Sequence, residues 1–220
     1  MCFSATASFA SAAVIAPVGV ATLLRADHPN EWLLASLPAC FAWHQFNEGM
    51  IWLGLLGQLP FGNLPAWGFV YMLYAQCLLP VLIPFSVWLI EPNRPRGHWL
   101  WPFVALGAGL AAYVFWALLR FDTEIFLRGH SVVYRNPATS TVLIAALYVV
   151  ATCGALFFSG YRYLVGLGAA NLVGVLAVLY FKHYAFTSVW CAYAAVTSVL
   201  IYWHFHRRRR AERQGGVLYH

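Results

Sequence analysis

Glu48 is the residue with the clearest chemical potential, because it is an acid in a stretch that is otherwise uncharged. It lies in Phe41-Ala42-Trp43-His44-Gln45-Phe46-Asn47-Glu48-Gly49-Met50-Ile51-Trp52 and is the only acidic residue well inside any long apolar run. A charged side chain at the centre of a bilayer costs about 2.5–3.5 kcal/mol on insertion scales, so such a residue is expected to face a partner or a wet cavity. Helical spacing puts Cys40, His44, Asn47 and Glu48 on one stripe, with Gln45 adjoining it. Three chemistries fit this pattern. Glu48 could be a structural carboxyl hydrogen-bonded to Gln45, Asn47 or a neighbouring helix. It could bind or transfer protons. It could also ligate a metal with His44, four residues earlier on the same face.

Cys2 is the second candidate. Ser4 has the chemistry of an N-cap for the first helix, which sets Cys2 at the positive end of that helix's dipole. Loss of Met1 would add a free amine, and both features favour a thiolate. The plainer expectation is a small buried residue, since free cysteine mostly packs as a hydrophobe. The last apolar run offers a facing wall. Tyr184, Ser188, Cys191, Ala195 and Ser198 share one face, and His183, Thr187 and Trp190 share the adjoining one. Asn171, Gln76 and Tyr74 are further polar groups, each expected to serve as an interhelical hydrogen bond. The candidate metal ligands are Cys2, His44 and Glu48. The five cysteines form no CxxC pair and no zinc spacing. The sole lysine, Lys182, sits at an interface, which argues against a retinal Schiff base. No CxxCH, glycine-rich phosphate loop or GxSxG motif is present.

The elements that position these residues follow from hydropathy. Of 220 residues, 62% are hydrophobic and only 9% charged, with a mean hydropathy of +0.68. A soluble domain carries about 25% charged residues, so a wettable surface is excluded. About 20 apolar residues span the hydrocarbon as a helix. Seven stretches qualify: Ala5–Leu24, Glu31–Leu56, Ala66–Ile90, His98–Leu119, Thr139–Phe158, Tyr161–Phe181 and Tyr184–His204. The predicted fold class is therefore all-α, an integral membrane bundle of seven transmembrane helices over residues 1–206, with a basic cytoplasmic tail at 207–220. The start shows no basic segment and no small-x-small cleavage pattern, so no signal peptide is read.

Charge placement predicts orientation. With the N-terminus outside, nine arginines (Arg25, Arg94, Arg96, Arg162 and five behind the last run) fall inside, against four cations outside. The positive-inside rule then favours N-out and C-in. Arg207, Arg208, Arg209, Arg210 and Arg213 read as a membrane anchor that also favours anionic lipid, and not as a nucleic-acid surface. The expected location is the inner (plasma) membrane, multi-pass, with the lipid bilayer as the main partner. Trp32, Trp88, Trp99, Trp101 and Trp203 at inner ends, with Trp52, Trp67 and Trp116 towards outer ends, fit an aromatic belt. Gly166, Ala170 and Gly174 suggest a smooth face for close helix packing. Pro17, Pro38, Pro80 and Pro84 lie within spans, where neighbours can satisfy the freed carbonyls. Between the fourth and fifth spans, Thr123–Arg128 and His130–Tyr134 flank Gly129 and predict a small hairpin over the outer mouth.

Met1-Cys2-Phe3-Ser4-Ala5-Thr6-Ala7-Ser8-Phe9, Gln45-x-x-Glu48-Gly49-x-x-Trp52 and Ser188-Val189-Trp190-Cys191-Ala192-Tyr193-Ala194-Ala195 together resemble a bacterial membrane family of unknown function. Its members begin MCFSA and carry QxxEGxxW and SxWCxxAA helices. Gly129-His130-x-x-x-Tyr134 is similar to its outer loop. The resemblance implies a multi-helix membrane protein but no activity or cofactor. It places a glutamine where this chain has His44, which weakens the His44–Glu48 metal site. The matching polar or unusual positions are Cys2, Gln45, Glu48, Trp190 and Cys191.

The expectation is an outward-facing intramembrane pocket lined by those five residues, binding a small molecule or ion for transport or sensing. The alternatives are a membrane-embedded enzyme using Cys2 as nucleophile or metal ligand with Glu48 as base, and a structural subunit whose polar residues only pack.

Overall fold

The computed structural model describes residues 4–91, 94–129, 131–180 and 186–213, with the side chains of residues 94, 96, 177–180, 186–193 and 211–213 outside the description. Seven helices are present within these ranges. They are α1 (Ala5–Leu23), α2 (Trp32–Leu55), α3 (Leu64–Ile90), α4 (Arg94–Arg120), α5 (Val142–Phe157), α6 (Arg162–Tyr180) and α7 (Phe186–Arg213). Among the described residues, α1, α3 and the Gly97–Arg120 part of α4 are each long and apolar enough to cross a membrane. α2 has the length, but its polar stripe dilutes its hydropathy.

Helix starts follow capping chemistry. Ser4 accepts from the Ala7 amide at 3.2 Å, Asn63 from the Ala66 amide at 2.8 Å, and Thr141 from the Ile144 amide at 3.3 Å. α3 departs from the expected plain helix. Over Leu73–Leu78 it winds as a π-helix, in which the Leu79 amide donates to the Tyr74 carbonyl, five residues back. Pro80, which has no amide to give, follows directly. There α4 comes against the Pro80 carbonyl, and only the missing side chain of Gly107 admits this approach.

Successive helices run in alternating directions. One end of the bundle gathers the α1–α2 loop, the end of α3 and the C-terminal part of α7. Arg209 pairs with Asp27, Arg208 pairs with Glu31, and the Gly160 amide donates to Glu91 at 2.8 Å. The opposite end carries the hairpin. Strands β1 (Glu124–Arg128) and β2 (Ser131–Arg135) pair antiparallel, with Arg128 opposite Ser131 and Gly129 at φ 62°. The expected hairpin is therefore present, and its reverse turn uses the left-handed conformation that glycine tolerates. Asn136 anchors it, donating to the Phe121 carbonyl and to Thr123 at 3.2 Å each and accepting from the Ala138 amide at 3.1 Å. Val132 packs with Ile51, Trp52, Tyr71 and Met72, so the hairpin closes over α2 and α3.

Two packing expectations are corrected. Gly166 is exposed with nothing within 4 Å of its absent side chain, so it does not take part in the expected small-residue packing face. The close contact on α6 is made by Gly168, against Leu156. Trp52 is buried at 6% exposure within the core and takes no part in a lipid-facing belt, whereas Trp32, Trp99, Trp101, Trp116 and Trp203 are exposed. Trp43 lies deep in α2 but on its exposed side, stacked on Phe46 at 5.5 Å. α7 runs unbroken past residue 206 to Arg213, which carries the tail arginines back against the loop after α1.

Candidate functional site

α2 is the central helix, packed by α1, α3 and α7. Its polar residues face inward. His44, Gln45, Asn47 and Glu48 are 3%, 0%, 1% and 0% exposed, while Cys40 is half-buried. The apolar spacing that hides them is simple: Trp43 and Phe46 take the outer side of the same turns.

α1 lies antiparallel along α2 in one register. A side chain at Gly19 would strike the Ala39 backbone, and one at Gly49 would strike the Phe9 ring. Both contacts step ten residues along each helix, so Ser8 falls level with the turn after Glu48. Ser8 is fully buried there.

α3 and the hairpin supply an aromatic wall. The His44 ring stacks on Tyr71 at 4.1 Å and lies 5.0 Å from Tyr74. Tyr71 in turn stacks on Tyr134 of β2 at 4.2 Å, with the planes 8° apart. The ladder Tyr134–Tyr71–His44–Tyr74 therefore links the hairpin to the buried stripe. Burial pushes the Tyr134 phenol well above its ordinary value, so it stays neutral.

Among the described residues, several buried atoms of this neighbourhood have no hydrogen-bond partner: both ring nitrogens of His44, the Asn47 Oδ1, the Ser8 Oγ, the Trp52 Nε1 and the Tyr74 hydroxyl. Each such atom costs about 1–3 kcal/mol relative to a satisfied one. Gln45 and Glu48 are engaged in interactions within the chain.

For a metal, the donor set is thin. Among the described residues, no three His, Cys, Asp or Glu side chains come together. His44 and Glu48 would be two ligating residues at most, and Cys2 lies outside the described residues. The same holds for the side chains of Trp190 and Cys191, although their helix is placed. Among the described residues of α7, Ala194, Ser198, Ile201 and Phe205 are buried.

Ser8, Tyr71 and Tyr134 were not among the sequence candidates. Ser8 sits in a run of small residues with no polar periodicity of its own. Tyr134 reaches Tyr71 only through the fold of the hairpin. Glu31 and His204, buried at the arginine end at 3% and 1% exposure, were missed as well, because both look like ordinary interfacial residues. Glu31 accepts from the Asp27 amide at 3.0 Å and pairs with Arg208. Arg209, hydrogen-bonded through both its Nε and Nη2 to Asp27, holds that carboxyl below its ordinary value.

No curated protein and no solved structure matches this chain. The chain does match, over residues 1–215, the model of a family of unknown function, DUF6629, and it belongs to that family.

Proposed function

We propose that this chain is a seven-span protein of the inner membrane, N-terminus outside and arginine-rich end in the cytoplasm, in which the stripe around Glu48 binds a small polar molecule or ion. Entry is from the hairpin side, and the role is transport or sensing. The observation that carries this reading is the concentration of unpaired, buried polar atoms within about one turn of Glu48. A bound molecule that hydrogen-bonds to His44, Asn47 and Ser8 would recover free energy that packing alone leaves unrecovered. Apolar residues of similar shape would serve a purely structural stripe better. Cys2, Gln45, Trp190 and Cys191 are the further lining residues of this reading.

Extraction of the gently purified chain, followed by mass spectrometry of what is released on denaturation, tests it. The wild type should release one small species in near-stoichiometric amount. Glu48→Gln and Asn47→Leu should each retain at least about tenfold less, the loss of one charge-assisted hydrogen bond, with helical circular dichroism unchanged. Identical extracts from wild type and both variants would count against the site.

A further inference from the structure

At the arginine end, away from Glu48, a cleft of about 490 Å³ is lined by Leu24, Arg25, His206, Arg209 and Arg210. Its cations are not equivalent. Arg209 is held bidentately by Asp27, and the neighbouring Arg208 is held by Glu31. Arg25 lies over the Tyr202 ring at 4.5 Å and donates one Nη to the Ala21 carbonyl at 2.8 Å. Among the described residues, neither Arg25 nor Arg210 has a carboxylate partner. The acids thus fix the cleft wall without neutralising it. Directly beside it, the end of α1 and its C-cap present Val20, Leu23 and Leu24 at 57%, 39% and 71% exposure, an apolar strip ending at the guanidinium groups.

An apolar strip that runs into an unneutralised guanidinium cleft matches an amphiphile with an anionic head. We propose that this cleft binds the phosphate of an anionic phospholipid, with an acyl chain along Val20, Leu23 and Leu24. Guanidinium groups suit phosphate because their N–H donors fork onto its oxygens. The site adds to a diffuse basic tail a fixed position: Arg25 from the turn after α1 and Arg210 from α7 approach one headgroup from two sides. Its occupancy would brace the α1–α7 contact at the membrane surface.

Native mass spectrometry of the full chain, released from nanodiscs of phosphatidylcholine with one-third phosphatidylglycerol, tests this. The wild type should carry one retained phosphatidylglycerol. Arg210→Gln, at an exposed position that will not disturb folding, should lower retention about tenfold, and Arg25→Gln should do the same. Arg207→Gln removes the same charge from the same helix, but Arg207 lies over Trp203 at 5.0 Å and outside the cleft. It should leave retention within twofold. Equal losses for Arg207→Gln and Arg210→Gln would overturn the site in favour of a diffuse field. Equal retention of phosphatidylcholine would overturn it too. Displacement by millimolar inorganic phosphate, with no preference for the lipid, would overturn the lipid assignment. None of these outcomes bears on Glu48, whose extraction test is separate.

Discussion

Replacing Gly19 by alanine tests the α1–α2 register on which the site depends. A Cβ added at Gly19 would sit 2.7 Å from the Ala39 amide nitrogen and 2.8 Å from its Cα. Ordinary contact starts near 3.4 Å. Both neighbours are backbone, so no side chain can swing away, and the helices must part by roughly 1 Å at the crossing. Overpacking of this kind costs about 1–3 kcal/mol, and backbone-on-backbone contact belongs at the upper end. Alanine returns about 1 kcal/mol through its helix propensity. The net expectation is a loss of about 2 kcal/mol. For a chain of this size that lowers the unfolding midpoint by roughly 4–8 °C.

The control is Gly166→Ala on α6. Nothing lies within 4 Å of that position, so only the propensity gain remains and the midpoint should hold or rise slightly. Thermal unfolding followed by circular dichroism, in one detergent and at one scan rate, measures both variants. Because displacement of α1 also moves Ser8 from the stripe, Gly19→Ala should release the small species retained by the wild type and Gly166→Ala should not. A Gly19→Ala midpoint at or above that of Gly166→Ala would refute the register.

Two further expectations concern the ends of the bundle. The folded Asp27 carboxyl is held below its unfolded value by Arg209, so its contribution to stability is present above the unfolded value and is lost as pH falls through the folded one. The wild-type midpoint should therefore fall more steeply than that of Asp27→Asn as pH drops below about 4, and parallel acid profiles would remove the clasp from the account. At the other end, Asn136→Ala deletes three hydrogen bonds from a fully buried side chain. At about 1 kcal/mol each this loosens the hairpin by roughly 3 kcal/mol. Amide exchange across Glu124–Arg135 should accelerate about a hundredfold, with α4 unchanged, and unaltered exchange would show that the hairpin is held by something else.

Much of the architecture was legible in the residue order because lipid-scale hydrophobic runs and their breaks are local signals. The apolar runs give six of the seven helices to within about four residues at each end and the start of α7, whose end lies nine residues beyond its run. Ser4 announces its cap, and the strand-glycine-strand pattern around Gly129 announces the hairpin. The membership of Cys40, His44, Asn47 and Glu48 in one stripe is also local, since helical spacing alone aligns them. The polar residues of α2 had to turn inward in so apolar a chain, and they do.

Other features depended on which helix meets which. Gly166 and Gly168 are indistinguishable by composition, and only the approach of α5 selects Gly168 as the packed one. Trp52 looks like a belt tryptophan until the hairpin and α3 enclose it. The partnership of Tyr134, Tyr71 and His44 joins residues scattered over 90 positions through ring stacking, for which no periodicity exists. The two acids of the α1–α2 loop find Arg208 and Arg209 only because α7 continues as a helix beyond the apolar run. Hydropathy and spacing thus determined the elements and their inward faces, because both are properties of neighbours along the chain. Tertiary packing decided which side chains from separate helices share a pocket, a stack or an ion pair, because those contacts depend on distances that the order of residues does not contain.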